Sequence, residues 1–142
     1  MKFKFSLQSV ENYREFQKNK MDLDLQTMFT EKQNLEKKLL EAKEKYMQSV
    51  ESRNQNLTLG SWGNWKTHED GLDVEKQSMI NILEEIVLKN KEIKEQEFLI
   101  QKKNQEIKTL EKLKNKREKE HNIRIDQEES KALIMNSKKE VA

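Results

Sequence analysis

The apolar residues of this chain recur in sevens. Ile86, Ile93, Ile100 and Ile107 stand one heptad apart, and Met79 and Leu72 extend the series backwards. One apolar position kept through six heptads predicts a long helix with a coiled-coil seam. The companion positions are thinner. Leu83 fits, and Leu110 fits with a small phase shift, but Asn90, Glu97 and Asn104 are polar. Polar seam residues specify register and partner number at a cost in stability, so the seam reads as weak. An earlier stretch carries a second seam of Met21, Leu25, Met28, Leu35, Leu39, Ala42 and Tyr46, with Lys32 filling its gap. Further back, Leu7, Val10, Tyr13 and Phe16 fall on a slightly rotated face.

Two arms around one glycine-bearing segment predict an all-α fold, an antiparallel two-helix coiled-coil hairpin with a longer C-terminal helix. A single unit spans 1–142, with helices over about 4–55 and 63–136 and a turn at about 56–62. If the chain reverses at 57–59, position i faces about 116 minus i, give or take two. Leu35 then lies near Met79 and Leu83, Met28 near Ile86, Met21 near Ile93, and Leu7 near Ile107. The first arm is used up near residue 112. Residues 113–142 would then form a lone helix of about 45 Å at 1.5 Å per residue. Such a helix is marginal in water and calls for a partner.

Composition supports helices over a compact core. Only 33% of the 142 residues are hydrophobic, 38% are charged, and proline is absent. A narrow apolar seam suits that supply. The net charge of +2 argues against a general nucleic-acid binder, which needs excess cations. Without cysteine there are no disulfides and no thiolate metal sites. The start MKFKFSLQSV is basic, but polar residues follow at once in place of an apolar signal region. No run approaches the length of a membrane span. A cytosolic, soluble protein is the expectation.

The unusual residues gather in LGSWGNWKTHEDG, residues 59–71, which holds all three glycines, both tryptophans and His68. A turn explains the glycines. His68 and His121 are too far apart to share a metal, and Glu69 and Asp70 suit a helix N-terminus. No phosphate-binding loop, H-E-x-x-H or G-x-S-x-G is present. The expectation is a protein that is not an enzyme, with no catalytic residues, cofactor or metal. Two interaction features remain. Trp62 and Trp65, three apart, either close the end of the coiled coil against Tyr46, Val50 and Leu57 or anchor a partner. The run KLKNKREKEHNIR, 112–124, carries six Lys or Arg against two Glu, and the acidic DQEE of 126–129 follows. It offers either a solvated helix face or a contact surface without aromatics for base stacking.

The segment KFKFSLQSVENYR at 2–14 resembles the opening of the FliJ family, the stalk proteins of the bacterial flagellar type III export apparatus. The resemblance lies in Phe5, Leu7, Gln8, Val10 and Arg14. LEKLKNKREKE at 110–120 is similar to the family's second landmark, and WGNW at 62–65 to an aromatic-x-Asn-aromatic element after its turn. Ile134 and Met135 stand after Lys131, where members commonly carry an acidic pair, and His121 stands where Tyr is frequent. The resemblance implies an antiparallel two-helix stalk that binds the export ATPase FliI, promotes its hexamer assembly, and contacts the export gate protein FlhA and export chaperones. It implies a cytoplasmic protein peripherally associated with the inner membrane at the flagellar base, without membrane insertion and without nucleic acid as a partner. The implied ATPase end comprises Phe3, Phe5, Leu7, Lys112, Lys114, Lys116, Arg117, Lys119 and Arg124. The implied gate end comprises Tyr46, Val50, Trp62, Trp65, His68 and Leu72. The alternatives are the equivalent stalk of a virulence-type secretion system, a generic coiled-coil scaffold or homodimeric adaptor, and a nucleic-acid or membrane-surface binder using 112–124.

Overall fold

The computed structural model describes residues 2–58, 60, 63 and 65–141, with side chains through residue 137. The fold is all-α: helix α1 spans Gln8–Thr58 (51 residues) and the longer helix α2 spans Trp65–Val141 (77 residues). Both start and end a few residues later than the periodicity suggests. Residues 2–5 precede α1 without helical structure, and the Gln8 N–H donates to the Phe5 carbonyl at 3.0 Å as the first turn forms. Glu11 in that turn complements the positive end of the helix dipole.

The helices contribute to two compact units. The terminal unit contains residues 1–21 and 99–142, and the turn-proximal unit contains residues 22–98. In the turn-proximal unit α1 and α2 pair antiparallel. Lys89 Nζ donates to Glu31 Oε2 at 2.5 Å, Ser49 Oγ to Glu75 Oε1 at 2.9 Å, and Arg53 Nη1 to Glu69 Oε1 at 2.5 Å. In the terminal unit Arg14 pairs with Glu106, and Lys103 Nζ donates to Gln17 Oε1 at 3.0 Å.

These contacts correct the register. Cross-helix partners sum to 120 in Glu31–Lys89, Arg14–Glu106 and Gln17–Lys103, and to 124 in Ser49–Glu75 and Asn56–His68. Position i therefore faces about 120 to 124 minus i, and the reversal falls between the end of α1 at Thr58 and the start of α2 at Trp65. The reason is local. Helix α1 continues past 55, with Thr58 Oγ1 donating to the Asn54 carbonyl at 2.8 Å. The reversal waits for Gly60, whose φ of +81° is left-handed and whose N–H donates to the Leu57 carbonyl at 3.2 Å. A left-handed glycine just past the last turn is a common helix stop. The register puts Leu35 across from the neighbourhood of Ile86, Met28 from Ile93, Met21 from Ile100, and Leu7 from Leu113. The partners of Met28 and Met21 lie seven residues beyond the expected ones, as does Ile86 beyond Met79 for Leu35, and the partner of Leu7 lies six beyond.

The first seam matches the expectation closely. Met21, Leu25, Met28, Lys32, Leu35, Leu39, Ala42 and Tyr46 are all half-buried. Its N-terminal extension does not follow the apolar residues. The seam keeps its phase through Glu11, Arg14 and Lys18, while Val10, Tyr13 and Phe16 point outward at 39%, 60% and 66% exposure. Polar residues therefore occupy the inside over this stretch. On α2 the isoleucine series is inward as expected, with Leu72, Ile93 and Ile107 buried. Its companions stand three residues on: Ile82, Lys89, Gln96, Lys103 and Leu110 are half-buried, whereas Leu83 is 46% exposed. Ile82 thus takes the place expected of Leu83.

Candidate functional site

The N-terminal segment reads K-F-K-F over residues 2–5, and in extended backbone alternate side chains face opposite ways. The two phenylalanines turn toward α2. Phe5 is buried, with the Arg117 guanidinium 5.8 Å from its ring centre. Phe3 is half-buried, with its ring 5.6 Å from the His121 imidazole. Arg117 Nη1 also donates to Ser6 Oγ at 2.9 Å. Residues 112–121 therefore have an intramolecular partner, and the expected lone helix from 113 is corrected. The cause is the one-heptad register shift, together with the non-helical segment 2–5, which extends the reach of α1. Beyond His121 every residue through 137 is exposed except half-buried Ile125.

The residues implied for an ATPase end divide accordingly. Phe5 is internal to the unit, so a partner would reach it only if the helices parted. Phe3, Leu7 and Lys114 are half-buried, while Lys112, Lys116, Arg117, Lys119 and Arg124 are exposed. Lys2 and Lys4, both exposed, lie at the same end, on the non-helical segment that Phe3 and Phe5 anchor to α2. Separated by more than a hundred residues in sequence, these lysines were invisible to a reading of 112–124. The two-residue alternation was the available signal.

The residues implied for a gate end lie in the turn-proximal unit. Leu72 is 3% exposed and belongs to the seam. Tyr46 and Val50 are half-buried, and Lys76 Nζ stands 5.8 Å from the Tyr46 ring centre. His68 is half-buried, with Asn56 Nδ2 donating to its Nε2 at 2.9 Å. Trp65 is 47% exposed at the start of α2, while Trp62 lies outside the described residues. Val50 also lines a shallow, open groove on α1 with Met47 and Asn54.

The seam itself carries charge. Lys89 sits between Glu31 and Glu92 (3.0 Å), whose hydrogen bonds, Glu31's first, raise its pKa above the usual 10.5. Glu106 is held below the ordinary 4.5, first by the hydrogen bond from Lys103, with desolvation opposing it and the charges of Arg14 and Lys103 adding to the lowering. Such pairs orient the helices and contribute little net stability each. Among the described residues no cluster of three or more His, Cys, Asp or Glu could hold a metal ion, and no helix is long and apolar enough to cross a membrane. The arrangement offers surfaces for binding. Comparison of the chain with protein-family models, with curated proteins and with solved structures found no match.

Proposed function

We propose that this chain is a non-enzymatic stalk component of the flagellar type III protein export apparatus. In that role it binds the export ATPase FliI, promotes assembly of its hexamer, and links it to the gate protein FlhA and to export chaperones. It works in the cytoplasm at the inner membrane. One observation carries the reading: the two stretches that resemble FliJ, 2–14 and 110–120, lie against each other through Phe5, Ser6 and Arg117. Together they make one surface, and α2 continues past it with Ile123, Leu133, Ile134 and Met135 exposed. Exposed apolar side chains on a helix without an intramolecular partner suit insertion into a protein ring. Trp65, with Tyr46, Val50 and His68 behind it, is the corresponding candidate for the gate contact.

The test is capture of the export ATPase by the full chain and ATP hydrolysis with and without it. Truncation after residue 121 removes α2 beyond its last partner and should abolish binding while leaving the hairpin folded. Normal capture and stimulation by the truncated chain would refute the proposal. A second reading, a homotypic coiled-coil scaffold, draws on Ile80, Leu83 and Val87, which are exposed at helical spacing on α2. Sedimentation of a stable dimer at micromolar concentration, without ATPase capture, would favour it.

A further inference from the structure

Charge is segregated between the two units. The terminal unit carries 17 Lys and Arg against 10 Asp and Glu, a net of +7, and the turn-proximal unit carries 11 against 16, a net of −5. The whole-chain value of +2 conceals both. The excess has a particular geometry. Along the seam, Arg14, Lys32, Arg53, Lys89 and Lys103 are each in an ion pair. Lys112, Lys116 and Lys119 instead follow one another at i, i+4 and i+7 on the outward face of α2, exposed and without an ion-pair partner among the described residues. Lys2 and Lys4 are exposed at the same end, but Phe3 and Phe5 turn toward α2 and leave these two lysines on the side turned away from it, so the α2 stripe stands by itself.

We propose that this lysine field docks the terminal unit on an anionic lipid surface, by charge and without insertion. The chemistry of the cations selects the partner. Shaped acidic sites on proteins favour arginine, whose planar fork pairs two oxygens at once. Here Arg117 is already engaged with Ser6 and Phe5, so of the exposed cations from Lys112 to Arg124 only Arg124 is a guanidinium without an ion-pair partner among the described residues, and Lys112, Lys116 and Lys119 are hydrated ammonium groups. None of the five lysines lines a described cavity. A field of mobile point charges without a pocket fits a fluid layer of anionic headgroups, which can rearrange beneath it, as polybasic segments do at membranes. Nucleic acid fits less well, because no exposed aromatic stands among these lysines to stack a base. Docking on lipid requires no export ATPase, so it stands or falls apart from the export role.

The experiment is co-sedimentation of the full chain with vesicles of phosphatidylcholine containing about three parts in ten phosphatidylglycerol, against phosphatidylcholine alone. Binding is expected to the anionic vesicles alone and to vanish as salt rises from about 50 to about 300 mM. The triple variant Lys112→Gln, Lys116→Gln, Lys119→Gln should lower the partition coefficient at least tenfold, and Lys2→Gln with Lys4→Gln, off that stripe, should lower it less. Lys37→Gln with Lys38→Gln, exposed in the turn-proximal unit, should leave it unchanged. Circular dichroism verifies that each variant is helical. Equal binding to neutral vesicles, no binding to anionic ones, or an unchanged triple variant would overturn the proposal. So would tighter, lysine-dependent binding to polyglutamate or to a single-stranded oligonucleotide, either of which would assign the surface to another class of partner.

Discussion

The same substitution at two glycines should change stability in opposite directions. Gly71 lies within α2, and a Cβ built on it meets no heavy atom within 4 Å. Replacing Gly by Ala in a helix interior stabilises by about 0.8–1 kcal/mol, because glycine loses the most backbone freedom on folding. Gly60 is equally open, with nothing within 4 Å of a built Cβ, but its φ is +81°. An L-residue held in the left-handed region costs about 1–2 kcal/mol. Space is therefore identical at the two sites and backbone conformation decides the sign. Melting entropy is about 2.1 cal/mol/K per residue, so 1 kcal/mol should move the midpoint of a chain this size by about 3 °C. Thermal unfolding followed by circular dichroism at 222 nm should show Gly71→Ala about 3 °C above the parent and Gly60→Ala about 3–6 °C below it. Stabilisation by Gly60→Ala would refute a left-handed helix stop there.

Other expectations follow from the seam and its charges. Ile93→Ala should cost about 2–4 kcal/mol in urea unfolding, and Leu83→Ala about 0.5 kcal/mol or less; equal costs would contradict the inward placement of Ile82. Phe5→Ala should cost about 3 kcal/mol and speed amide exchange over residues 110–121, whereas unchanged exchange would mean that the N-terminal segment does not hold α2. The pKa shifts set a pH window for stability. The lowered Glu106 value gives stability present above the ordinary carboxylate range and lost as pH falls through its folded pKa. The raised Lys89 value gives stability present below the ordinary ammonium range and lost as pH rises through its folded pKa. Hydrogen exchange should therefore loosen the terminal unit first in acid and the neighbourhood of residues 31 and 89 first in alkali. Lys89→Met should abolish the alkaline effect.

The inward residues of α1 from Met21 to Tyr46 were legible in the sequence because helical geometry presents every third and fourth residue to one side. The isoleucine series of α2 was legible for the same reason. At the N-terminus the pattern misled, since Val10, Tyr13 and Phe16 look like seam residues while Glu11 and Arg14 occupy the seam. A helix holds its phase over many turns, so the longer run from Met21 onward decided which residues point in. The basic run at 112–124 was visible as a candidate surface, but the exposed Lys2 and Lys4 at the same end were not, because only the contacts of Phe3 and Phe5 across the chain bring them there.

The heptad pattern is enough to require two long helices with complementary seams. It leaves open which heptad faces which, because the pattern repeats. Sliding one helix by seven residues lays apolar positions on apolar positions again, so hydrophobic burial hardly distinguishes the two registers. Features that do not repeat break the tie. Gly60 sets where the chain turns, and Glu31 with Lys89, Ser49 with Glu75, and Arg14 with Glu106 pair in one register alone. That choice of register brings the non-helical N-terminal segment onto Arg117 and His121. It thereby decides where α2 loses its partner and where the positive charge collects.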